Sequence, residues 1–231
     1  MATSHAHKRI TKKDLKTDAF TTSIFTAKEW AEKNVRFIAI TLGAIVVVVA
    51  AVWGFSSYRS SEQLAAQSLY GEAGVEIRSN NSSVAIALLQ RVVDEHGGAQ
   101  QAGPACIQLG QLHFQERSFD EARLAYQRYI DDYAADPYLT AAAWAGLGAI
   151  EEQAGFPEEA VTRYREATDA NPGGSLAPEN LRRLVRAAVA AGDTATALAA
   201  FERLDQDYPE DADNRMIARQ MLIERGFMDP N

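Results

Sequence analysis

Few side chains in this 231-residue chain have the type and spacing to do chemistry. Cys106 is the only cysteine, so a nucleophilic or metal-bound thiolate would rest on it alone and no intrachain disulfide can form. It stands outside any lipid-attachment arrangement and any Cys-x-x-Cys-His haem motif, and reads as a small buried apolar residue. The four histidines, His5, His7, His96 and His113, are too scattered to supply the ligands of a metal site. The adjacent carboxylates Asp131 and Asp132 read as ordinary helix-surface acids, and no Ser/His/Asp set is spaced for nucleophilic catalysis. Gly146-x-Gly148 follows no strand, which removes the phosphate-binding reading of a Gly-rich turn. The residues therefore predict no enzyme, no metal, no cofactor and no small-molecule substrate.

The elements that would position any function begin with an uncharged apolar run, Phe37 to Tyr58. Its most apolar part, Phe37 to Phe55, would rise about 28 Å as a helix, close to the hydrocarbon thickness of a bilayer. That predicts a single transmembrane helix over 37–58, a cytoplasmic basic tail over 1–36 and an exported domain over 59–231. Lys8, Arg9, Lys12, Lys13, Lys16, Lys28, Lys33 and Arg36 precede the run against four acids, whereas Arg59 is the only base close behind it, so the N-terminus is expected in the cytoplasm. The chain is net −8 and this tail net +4, which leaves −12 beyond it and argues against nucleic acid as a partner. A cleaved signal peptide is the competing reading, with Ala50 and Ala51 near its cleavage region. The length of the preceding tail, and an apolar core longer than about 15 residues, weigh against it.

Within the run, Ala39, Gly43, Ala50 and Gly54 recur at i, i+4, i+11 and i+15 and share one helical face, a stripe on which a neighbouring membrane helix could pack closely. The competing reading is composition alone, since Gly and Ala are common in such helices. Trp53, Phe55 and Tyr58 sit where an aromatic belt would meet the outer interface. In the tail, Thr11 with Asp14 resembles a capping box, and Phe20, Ile24, Ala27 and Ala31 recur at helical spacing. That predicts an amphipathic juxtamembrane helix, either docking a partner or resting on anionic headgroups.

Beyond the run the chain repeats a two-helix pattern. Ala141 to Gly174 carries Trp144, Leu147, Gly148, Ala160, Tyr164, Ala167 and Pro172, which resembles the tetratricopeptide signature at nearly every anchor, with Glu151 replacing the first-helix tyrosine. Gly103 to Asp136 keeps Leu109, Gly110, Ala122 and Tyr126, with Cys106 at the tryptophan position. Pro178 to Asp211 keeps Leu181, Leu184, Ala197, Phe201 and Pro209, and a degenerate copy from about Ala66 keeps Ala85. The alanines Ala85, Ala122, Ala160 and Ala197 lie 37, 38 and 37 residues apart. The predicted fold is all-α: an N-terminal amphipathic helix, one transmembrane helix and an α-solenoid of about four helix pairs. Asn214 to Arg225 is expected to cap the last pair. Gly97, Gly98, Gly103, Gly173 and Gly174 are expected in loops, and Asp120, Glu121, Glu158 and Glu159 at helix starts, where acids suit the dipole.

In tetratricopeptide domains the first helices of successive pairs line a concave groove. Mapping that resemblance onto this chain gives Tyr70, Ile77, Ile107, Gln111 and Phe114 at an apolar end, Ala145 and Ala149 between, and Glu152, Arg182 and Arg186 at a basic end. Such a groove suits an extended or helical peptide with hydrophobic anchors. The competing reading packs Ile107 and Phe114 between pairs and leaves Arg182 and Arg186 as a solvated helix face. The Lys/Asn clamp that holds a terminal carboxylate in some such domains is missing.

Basic tail, single span and exported repeat array together resemble the bacterial ancillary subunit of the Sec translocon, an inner-membrane protein whose repeat domain faces the periplasm. That resemblance implies a membrane-anchored protein–protein interaction module that engages exported polypeptides or periplasmic chaperones. The alternative is a structural accessory subunit stabilising a large respiratory or photosynthetic membrane complex. The implied partners are proteins in the membrane and periplasm and the lipid bilayer through one span, with no nucleic acid.

Overall fold

The computed structural model describes residues 24–230, so Thr11, Asp14 and Phe20 lie outside the described residues. Every regular element among them is helical. Residues 24–33 form α1, a turn follows at Asn34, and α2 (Val35–Arg78), α3 (Ser82–Glu95), α4 (Ala102–Gln115), α5 (Phe119–Tyr133), α6 (Pro137–Ala154), α7 (Pro157–Ala170), α8 (Ala177–Ala191), α9 (Thr194–Asp207) and α10 (Ala212–Glu224) complete the order.

The chain divides into two compact units, Met1–Arg59 and Ser60–Asn231. In the first, residues 39–59 are all exposed. The apolar run is long and apolar enough to cross a membrane by length and composition. The sequence separates a span ending at Tyr58 from a repeat helix starting near Ala66; one helix, the 44-residue α2, carries both. The linker chemistry is missing because nothing between Phe55 and Ala66 breaks a helix: no Pro or Gly occurs there.

The second unit is a series of helical hairpins, with the later part of α2 and α3 forming the first, then α4/α5, α6/α7 and α8/α9. The register alanines Ala85, Ala122, Ala160 and Ala197 have no exposed surface, which lets paired helices approach closely. Glycine does the same across from the aromatic anchors. A Cβ on Gly148 would stand 2.8 Å from the Tyr164 ring, and one on Gly110 would stand 2.5 Å from the Tyr126 ring. Gly146, two residues before Gly148, serves the preceding hairpin: a Cβ there would stand 2.4 Å from that same Tyr126 ring. The capping helix α10 covers the end through Ala218 and Leu222, packed into one cluster with Leu204 and Ala188.

Helix ends follow local chemistry. Asp136 caps α6 by accepting from the amides of Tyr138 (2.8 Å) and Leu139 (3.2 Å), with Pro137 in the first turn. Asp193 and Asp211 cap α9 and α10 through the amides of Thr196 and Asn214. The α6/α7 and α8/α9 turns need a left-handed residue and have Gly155 and Gly192 there. Asp120 and Glu121, and Glu158 and Glu159, sit in the first turns of α5 and α7. Gly103 is not in a loop: it lies in the first turn of α4, where a Cβ would crowd Tyr133 at 3.2 Å.

Candidate protein-binding face

The predicted groove residues fall on α2, α4, α6 and α8, the first helices of the four hairpins. Tyr70 is half-buried and its hydroxyl accepts from Gln108 Nε2 at 2.8 Å, tying α2 to α4. Burial raises the Tyr70 phenol, so it stays protonated. Ile77 and Phe114 are partly buried against the core. Phe114 also packs on Phe119 with centroids 5.4 Å apart. Gln111 is exposed. Ile107 is 4% exposed and belongs to the core beside Ala105 and Leu109, so it has no surface to offer a partner. Ala145 is buried as well.

At the other end the charges are already paired. Glu179 receives Arg182 through Nε (2.9 Å) and Nη2 (2.6 Å), and Arg183 through Nε (2.8 Å). Burial acts to raise the Glu179 carboxyl, but these bonds outweigh it and hold it below its ordinary range. Glu152 bridges two hairpins, accepting from Tyr164 Oη (2.5 Å) and from Arg186 Nε (2.8 Å) and Nη2 (2.6 Å). Donation to Glu152 pushes the Arg186 guanidinium further up, and burial raises Tyr164. The predicted basic end is thus a set of compensated ion pairs, with Arg182, Arg183 and Arg186 set against Glu152 and Glu179.

Two interactions carry information the sequence reading missed. Glu151, at the position where the repeat signature has tyrosine, is 7% exposed and receives both terminal nitrogens of Arg123 from the preceding hairpin. That bond is the main reason the Arg123 guanidinium is raised. Arg163 stands over the Trp144 ring, 5.3 Å from its centroid, and Trp144 touches both core clusters.

Burial pushes the Cys106 thiol up to about 11, so it is not an activated nucleophile. Among the described residues no three His, Cys, Asp or Glu side chains converge as metal ligands. In the apolar run, a Cβ added at Gly43 or Gly54 would meet nothing within 4 Å, and Ala39 and Ala50 are exposed.

Stacked hairpins closed by small residues and aromatic plugs define an α-solenoid of the kind that serves as a scaffold for protein interaction. The chain belongs to the tetratricopeptide repeat-like domain family, whose model matches residues 28–203. It is similar in structure to a tetratricopeptide repeat protein from Parabacteroides merdae, at TM-score 0.60 and 12% identity, over 71% of this chain and 60% of that one. It is similar also to YrrB, described as a TPR protein with an unusual peptide-binding site, at TM-score 0.55 and 15% identity, over 76% of this chain and 85% of that one. At these identities the likeness is one of fold. A search of curated proteins found no match.

Proposed function

We propose that this protein is a non-enzymatic, membrane-anchored adaptor of the bacterial inner membrane. Its N-terminus lies in the cytoplasm and its repeat unit in the periplasm, where it engages exported polypeptides or their chaperones beside the translocon. The observation that carries this reading is an apolar helical run of membrane length with every residue from 39 to 59 exposed, followed by a tetratricopeptide array. In water that surface would drive aggregation; in lipid it is satisfied. The excess of Lys and Arg ahead of the run supports the orientation. A partner chain would lie along the first-helix face, over exposed Gln111 and half-buried Tyr70, Ile77 and Phe114 towards the Glu152, Arg182 and Arg186 end.

The second reading, an accessory subunit of a large membrane complex, draws on the open stripe of Ala39, Gly43, Ala50 and Gly54. One experiment separates the two. After gentle solubilisation of membranes bearing the full chain, the adaptor reading expects substoichiometric translocon components and exported chains. Stoichiometric recovery of one complex, abolished by Gly43→Leu or Gly54→Leu, would replace it with the second reading. Protease added outside spheroplasts should remove residues 59–231; their survival would overturn the orientation.

A further inference from the structure

The first and second hairpins, and the third and fourth, are latched along their second helices by equivalent bonds. Arg128 on α5 donates to Asp94 on α3 (2.7 Å) and to the Val93 carbonyl (2.9 Å), while the Tyr133 hydroxyl donates to the Gly97 carbonyl (3.0 Å). Two hairpins later, Arg203 on α9 pairs with Asp169 on α7 at 3.5 Å, and the Tyr208 hydroxyl donates to the Pro172 carbonyl. Stepping by the 37- and 38-residue spacing of the register alanines makes these two latches equivalent. It also gives the residues that should build the latch between the second and third hairpins: Asp131 for the acid, Glu166 for the arginine and Asn171 for the tyrosine.

That middle latch is absent. Glu166 reverses the charge that would meet Asp131, both are exposed, and no hydrogen bond or ion pair joins them. Asp131 is engaged instead by Gln127 on its own helix, at 2.9 Å. The Asn171 side chain lies beside Gly174 in its own loop. The buried core is shared across α6: one cluster runs from Ala66 to Ile150, the other from Ala145 to Leu222, with α6 contributing to both and Trp144 touching each. What joins the second and third hairpins lies elsewhere: the Tyr126 ring against Gly146, Arg123 on Glu151, and the Tyr129 hydroxyl on the Asp136 carbonyl at 3.3 Å.

We propose that the junction between the second and third hairpins is a hinge, held at α6 and unlatched between α5 and α7, about which two blocks of two hairpins each change their relative angle. In a stacked array each interface contributes its own coupling, so the one whose second helices are joined by neither an ion pair nor a hydroxyl bond, and carry two acids in their place, opens first on that side. Because α4 and α6 flank the hinge, its motion resets the spacing of the first-helix face and lets that face fit partners of different bulk.

Four exposed and equivalent second-helix positions, Ala87, Leu124, Thr162 and Ala199, allow a self-controlled test. In the full chain in lipid nanodiscs, with Cys106→Ala, spin labels are placed as the pairs 87/124, 124/162 and 162/199 and read by dipolar EPR. The hinge predicts a 124/162 distance distribution about twice as wide as the other two. It also predicts narrowing to their width in Glu166→Arg with Asn171→Tyr, with 87/124 unchanged and helicity by circular dichroism unaltered. Three equally narrow distributions would overturn the hinge. A wide 124/162 distribution that the two substitutions leave unchanged would overturn the missing latch as its cause. Should the double variant lose helicity, Glu166→Arg alone carries the test with the same two outcomes.

Discussion

Gly146→Ala turns the packing account into a number whose sign is not the usual one. In an exposed helix, replacing Gly by Ala stabilises by about 1 kcal/mol, because the backbone loses less freedom on folding. Gly146 is in the middle of α6, yet the added methyl would stand 2.4 Å from Tyr126 Cζ and 2.5 Å from Cε2. Carbon atoms rest about 3.5–4.0 Å apart, so the ring must move by about 1 Å. That ring is already against α4, where a Cβ on Gly110 would stand 2.5 Å away, and it is only 4% exposed. Overpacking of a filled site costs about 1–3 kcal/mol, and set against the propensity gain of about 1 kcal/mol the net effect is a loss of up to about 2 kcal/mol. At about 2–4 °C per kcal/mol for a unit of this size, Tm should fall by up to about 8 °C. The assay is thermal unfolding of the full chain in detergent micelles, followed by circular dichroism at the helical band. In a Tyr126→Leu background the same Gly146→Ala change should be neutral or stabilising, since the flexible side chain makes way. An unchanged penalty in that background would refute the reasoning, as would stabilisation of the otherwise wild-type chain.

Arg123→Ala leaves the nearly buried Glu151 carboxylate without its partner and should cost about 1–3 kcal/mol by chemical denaturation, part of which Arg123→Ala with Glu151→Gln regains. Asp136→Ala removes two bonds to the first turn of α6 and should cost about 1 kcal/mol in the same experiment. Asp94, held low chiefly by bonds from Gln90 and then Arg128, and Glu179, held low by Arg182 and Arg183 against its burial, both have folded pKa values below the unfolded ones. Their contribution is therefore present above the ordinary carboxylate range of about 3.9–4.3 and lost as pH falls through the folded values. Tm should be flat above about pH 5 and fall below about pH 4, less steeply in Asp94→Asn.

The hairpins were legible because their constraints are local and recur. A small residue faces an aromatic plug in the second and third hairpins, so Gly110 and Gly148, with the register alanines Ala85, Ala122, Ala160 and Ala197, mark both the helices and their order. The face on the first helices was less legible, for reasons that differ by residue. Ile107 has the right position in the unit, but burial depends on what the neighbouring hairpin sets against it. The pairing of Arg182 and Arg183 with Glu179 was available from their i, i+3 and i, i+4 spacing. The bond from Arg186 to Glu152 could have been found by laying one unit on the next, since the two sit one hairpin apart. Glu151 reads as a departure from the repeat signature until Arg123 is placed beside it, and no rule of spacing within one unit brings a partner from the hairpin before. The single helix α2 was obscured by composition, because a change from lipid-like to water-compatible residues looks like a boundary even where the backbone continues.

The account rests most heavily on the first-helix face as the surface that holds another protein. A photo-reactive residue introduced at exposed Gln111 on α4, in the full chain in intact membranes, tests it directly against the same residue at Leu124, 70% exposed on α5. The account predicts discrete protein adducts from position 111 and none from position 124. Adducts from position 124 alone, equal labelling at both, or none at either would contradict it.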